Sequence, residues 1–124
     1  MSRKDVERLL ADLTRELLIT RQTFEGLDVE AYLEERDEPG FSEAWMQAFE
    51  ALAETSVTVE DQVLQSCREQ AFKQTFALTG DPELAGYVSD DLGLIGAYLM
   101  QDSVRNSFVD RLHESYRLGK LPLR

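Results

Sequence analysis

His113 is the only histidine in the 124 residues, and Asp110 stands one helical turn before it. A carboxylate and a histidine at that spacing make up part of the ligand set of a dinuclear site in a helical bundle. The rest requires a second such pair and two more carboxylates, and the second histidine is missing. Histidine zinc sites fail for the same reason. A nucleophilic triad fails too, because only His113 could act as base and no serine or cysteine sits in a glycine-flanked elbow. His113 is therefore expected at a helix interface between Val109 and Tyr116, bonded to Asp110. No catalytic residue, metal or cofactor is assigned.

Cys67, the sole cysteine, excludes an intrachain disulfide and a thiolate cluster. With Leu64 and Ala71 on the same helical face it reads as a small buried hydrophobe. No glycine-rich phosphate loop and no calcium loop can be found. Glu34-Glu35 and Asp90-Asp91 are adjacent acids, and on a helix neighbours diverge by about 100° instead of facing one site. Asp91 still stands out, because it interrupts the most apolar stretch of the chain. Tyr87 lies one turn before it and Tyr98 two turns after. A buried carboxylate has to be paired or hydrogen-bonded. Tyr87, Asp91 and Tyr98 are thus expected to form a structural polar cluster, or else a pocket for a small cationic ligand.

The net charge of −11 has an address. Between Glu25 and Asp61 stand twelve acids: Glu25, Asp28, Glu30, Glu34, Glu35, Asp37, Glu38, Glu43, Glu50, Glu54, Glu60 and Asp61. One base, Arg36, opposes them, so twelve minus one accounts for the whole excess. The remainder holds twelve acids and twelve bases and is neutral. A field of one sign speeds encounter with an oppositely charged partner and costs stability through self-repulsion. Direct binding of nucleic acid would need clustered lysine and arginine, which the chain lacks. A docking surface for a basic protein is expected, with Glu30, Glu34, Glu35, Asp37 and Glu38 steering and Tyr32 or Trp45 as aromatic anchor. The competing reading is a solvated face that keeps a small protein soluble.

The elements that position these residues are helices, giving an all-α, single-domain bundle of five or six over residues 1–124. The first is expected from Ser2 to about Phe24, with Val6, Leu9, Leu10, Leu13, Leu17 and Leu18 as one stripe. Asp28 caps a short second helix that ends in the turn Asp37-Glu38-Pro39-Gly40. Ser42 and Glu43 open a third, with Trp45, Phe49 and Leu52 inward. A fourth is capped by Thr58 and Asp61, carries Leu64, Cys67, Ala71, Phe72 and Phe76, and stops near Gly80. Asp81-Pro82-Glu83 is the clearest helix start. It opens a central apolar helix near residues 82–100, with a face of small residues, Ala85, Ser89, Gly93, Gly96 and Ala97, and a possible kink at Ser89-Asp90-Asp91. The last helix is expected from Asp102-Ser103 to Gly119. No apolar run reaches the roughly 20 residues of a membrane span, and Met1-Ser2-Arg3-Lys4-Asp5 does not resemble a secretory leader. A cytoplasmic, non-membrane protein is expected.

Together these features predict a non-enzymatic acidic interaction protein that binds, and inhibits or escorts, a basic protein. Bacterial immunity proteins, antitoxins and small inhibitors share this general character, a likeness of class and not of motif. The alternatives are a homodimer joined through the small-residue face or the tail Leu121-Pro122-Leu123, and a small-molecule-binding helical domain.

Overall fold

The computed structural model describes residues 2–52, 62–101 and 105–124, with side chains from Lys4 onward. These residues form six α-helices and one short 3-10 helix, with no strand among them. In chain order they are α1 (Ser2–Thr14), the 3-10 helix (Arg21–Phe24), α2 (Val29–Arg36), α3 (Pro39–Leu52), α4 (Gln62–Thr79), α5 (Pro82–Leu99) and α6 (Ser107–Arg117). The expected caps at Thr58 and Asp61 lie outside the described residues.

α5 is the central helix, with α1, α3, α4 and α6 packed around it. Asp81 accepts from Leu84 N–H at 2.9 Å and Pro82 occupies the first turn, so the start is capped as its sequence requires. Leu84, Val88, Leu92 and Ile95 are each at most 1% exposed, and burying such a side chain stabilises the fold by about 1.5–3 kcal/mol. The helix runs unbroken through Ser89, Asp90 and Asp91, with no restart there. Its small-residue face lies against α4. A Cβ on Gly96 would stand 2.5 Å from Leu64 Cδ2, and one on Gly93 would stand 2.8 Å from Arg68 Cδ. Ser89 Oγ donates to the Arg68 carbonyl at 3.0 Å, completing the contact. Ser89, Gly93 and Gly96 of this face are thus met by α4 of the same chain. Leu121 and Pro122 of the tail are buried as well, while Leu123 is exposed.

Three boundaries depart from expectation, each for a local reason. α1 ends at Thr14, not near Phe24. Thr14 Oγ1 turns back on the Leu10 carbonyl at 2.8 Å. Glu16 then takes a left-handed φ of 60°, with Glu16 N–H donating to Leu13 O and Leu17 N–H to Asp12 O. That pair of bonds is the Schellman stop, here without its usual glycine. It sends Leu18 and Ile19 into the core and leaves Leu17 exposed. α3 begins at Pro39 and not at Ser42, because proline at a first helical position gives up an N–H that has no partner there anyway. α6 begins at Ser107, with Asn106 Oδ1 accepting from Val109 N–H at 3.1 Å in place of a cap from Asp102 or Ser103, and those two residues lie outside the described set.

Some expected core residues face solvent. Phe49, Phe72 and Phe76 are 46%, 37% and 47% exposed, and Ala48 and Thr75 occupy the interior positions instead. Cys67 is buried, with its thiol toward the Val6 carbonyl at 3.9 Å. Among the described residues no helix is long and apolar enough to cross a membrane.

Candidate functional site

The acidic segment is organised around its one cation. Arg36, the last residue of α2, points inward and is 4% exposed, while Asp91 in the middle of α5 is 0% exposed. The guanidinium donates to both carboxylate oxygens, to Oδ2 and Oδ1, at 2.8 Å each. Trp45 of α3 donates its indole N–H to Asp91 Oδ1 at 2.9 Å, and Tyr116 of α6 donates its hydroxyl to Oδ2 at 2.6 Å. Tyr32, one turn before Arg36, accepts from the guanidinium at 3.4 Å. Phe41 and Tyr87 place their rings 4.9 and 5.0 Å from Arg36 Cζ.

One carboxylate thus joins α2, α3, α5 and α6. Its two oxygens accept four hydrogen bonds, which fills the acceptor capacity of a carboxylate. Asp91 has no acceptor position left for a ligand, and its bonds tie four helices together. Burial works against the charge on Arg36, but the hydrogen bonds and charge of Asp91 outweigh it and hold the guanidinium above its ordinary value. Burial pushes Tyr32 up to about 12, against the lowering pull of Arg36. Burial, then the neighbouring Asp91 charge, raises Tyr116 well above the usual tyrosine range.

The expected cluster of Tyr87, Asp91 and Tyr98 does not converge. Tyr98 donates instead to the Ala48 carbonyl at 2.7 Å, and Tyr87 stacks near Arg36. Asp90 diverges from Asp91, as adjacent helical residues must, and pairs with Arg68 at 2.7 Å on the surface between α4 and α5. His113 is half-buried and held below its ordinary value, first by burial and then by Arg117. Asp110 pairs with Arg105 at 3.7 Å, not with His113 as expected. Among the described residues no group of three potential metal ligands comes together.

The residues expected to meet a partner separate into two sets. Glu30, Glu34, Asp37 and Glu38 are exposed, and their spacing of four, three and one lays them along one side of α2 and its following turn. Glu35 is half-buried and paired with Arg124 at 2.6 Å. Tyr32 is 0% exposed, a core residue and not a surface anchor. Trp45 is half-buried, with its N–H committed to Asp91 and its ring stacked on Phe49 at 5.8 Å. Glu43 and Glu50 on α3 are exposed as well, whereas Glu54, Glu60 and Asp61 lie outside the described residues.

Residues 25–52 therefore carry nine acids, and their only base is turned into the core and neutralised by an aspartate from α5. Like charges one turn apart on a helix repel, at a cost of about 0.2–0.5 kcal/mol per pair. Glu30 with Glu34 is such a pair. A model of the family described as Immunity protein PIM1 matches residues 8–123 of the chain. The chain belongs to the PIM1 immunity family. The match takes in the acidic helix and all members of the Arg36–Asp91 network, and an immunity family implies a partner protein. A comparison with curated proteins finds no match.

Sequence reasoning missed Arg36 and Tyr116 as partners of Asp91. The signal was present. A lone base in a run of acids and a lone buried acid in an apolar helix each need an opposite charge, and each is the other's best candidate. What the sequence does not carry is the approach of α2 to α5.

Proposed function

We propose that this protein neutralises a basic, toxin-like protein by binding it non-covalently through the acidic surface of α2 and the start of α3. One observation carries the reading. The single cation of the acidic segment is withdrawn into the core against Asp91, so Glu30, Glu34, Asp37, Glu38, Glu43 and Glu50 face solvent without an opposing charge from their own segment. Such a surface attracts a partner of opposite sign over about a Debye length and orients it before contact. Inhibition then follows from occlusion, which asks for no reactive group.

The test is capture from the native host on immobilised protein at low and at high salt. A variant with Glu30→Lys, Glu34→Lys and Glu38→Lys runs beside wild type. These positions are exposed, so the variant keeps the fold. Wild type retains one basic protein, salt weakens the complex, and the variant loses it. Equal retention by wild type and variant contradicts the reading.

A further inference from the structure

Two adjoining cavities open beside the acidic surface, of about 310 and 230 Å³, and they share Trp45, Met46 and Asp90. Their sizes lie near or below the lower limit of roughly 300 Å³ for small-molecule clefts, and each suits a single side chain of a docked protein segment. The larger end is apolar, formed by Met46, Phe49 and Leu52 of α3 with Leu94 and Ala97 of α5. The smaller end is aromatic and acidic, with Phe41 and Tyr87 beside Asp37 and Asp90. Met46 and Phe49 are 47% and 46% exposed, although they belong to a helix whose Ala48 is fully buried.

Charge indicates what belongs there. Asp37 and Asp90 line one side, and Glu43 and Glu50 flank Met46 on the outer face of α3, at three positions before it and four after. The cations that line the two cavities, Arg36 and Arg68, are paired at 2.8 Å with Asp91 and at 2.7 Å with Asp90, which also takes up the Asp90 charge and leaves Asp37 as the lining acid that faces a partner. An apolar slot with an acidic rim is the anatomy of a binding hot spot.

We propose that this α3–α5 groove anchors the partner by receiving one apolar side chain between Met46 and Phe49. A lysine or arginine of the same segment pairs with Asp37 at the rim. The proposal rests on the reading that the partner is a basic protein, and it adds where and by which side chains that protein is held. The basic group meets the exposed Asp37 carboxylate, while the Phe41 and Tyr87 faces are held by Arg36. The apolar group displaces water from Phe49 and Met46.

The experiment places the photo-crosslinking residue p-benzoylphenylalanine at position 46 or 49 in the native host, with positions 17 and 118, more exposed but outside the groove, as controls. After irradiation the crosslinked peptide is sequenced. Expected is a second protein joined at 46 and 49 but not at 17 or 118, through an apolar residue with lysine or arginine within four positions. A crosslink to another copy of this chain, to an acidic segment, at the control positions alone, or to nothing overturns the proposal. With the crosslinked partner purified, Phe49→Ala lowers affinity at least tenfold, chiefly by faster dissociation, at unchanged melting temperature. If charge reversal on α2 abolishes capture while crosslinks form only outside the groove, the acidic surface stands and the groove falls. If capture also ignores charge reversal, both fall.

Discussion

Arg36 and Asp91 stand 55 positions apart and meet in the core with four helices attached to them. A buried ion pair contributes little compared with a well-packed apolar pair, but breaking it from one side strands a charge. Asp91→Asn should cost about 3–5 kcal/mol, read from the urea midpoint at unchanged slope. The double change Arg36→Met with Asp91→Leu should recover only part of that loss, because the Trp45 N–H and the Tyr116 hydroxyl then lose their acceptor. If the single change is nearly neutral, the network does not hold the helices as described. His113 gives a second test at this scale. It is held below 6.5 in the fold, so the unfolded chain takes up a proton first as pH drops. Its contribution is therefore fully present above about pH 6.5 and is lost as pH falls toward the folded value. His113→Gln should flatten the decline of melting temperature over that window. The type of bond Asp91 would need was legible from its apolar setting alone. Its partners were not, because they come from three other helices whose packing order no local pattern encodes.

Capping residues were read more successfully than the boundaries of α1, α3 and α6. Asp28, Asp81 and the glycines at 80 and 119 act as their residue types dictate, with left-handed φ values of 70° and 78° at the two glycines. The end of α1 was hidden because its left-handed position is filled by Glu16, a residue that ordinarily continues a helix. A non-glycine residue there costs about 1–2 kcal/mol, and glycine gives back part of that gain through its freer unfolded chain. Glu16→Gly should accordingly stabilise the protein by roughly 1 kcal/mol in thermal unfolding. A loss of stability would mean that Glu16 makes contacts which compensate its backbone. The small-residue face of α5 was recognised in the sequence, but whether it met a helix of the same chain or of another copy could not be decided. It meets α4, with Leu64 on Gly96. Gly96→Leu should therefore overpack the core, costing about 1–3 kcal/mol or more, and should leave the association state unchanged on gel filtration.

At the scale of the whole molecule, the charge asymmetry was fully legible, since it requires only counting along the chain. The fold adds that α2 presents Glu30, Glu34, Asp37 and Glu38 outward while burying Arg36, so that the acidic surface is less opposed than the sequence tally suggests. The groove beside it was not legible. Phe49 sits at helical spacing from Trp45 and reads as core, yet it is 46% exposed, because Ala48 and Tyr98 fill the interior at that level. On the proposed reading, acidic steering and an apolar anchor divide the work of recognition, the first acting on the rate of encounter and the second on the lifetime of the complex.

The most direct measurement is the association rate constant with the basic partner as a function of ionic strength, for wild type and for the Glu30→Lys, Glu34→Lys, Glu38→Lys variant. The account predicts a steep fall of the wild-type rate with salt. For the variant it predicts a rate at least tenfold lower at low salt, with a shallow or inverted dependence. Two superimposable curves would contradict it, and would make the acidic face of α2 a solvated surface with no part in recognition.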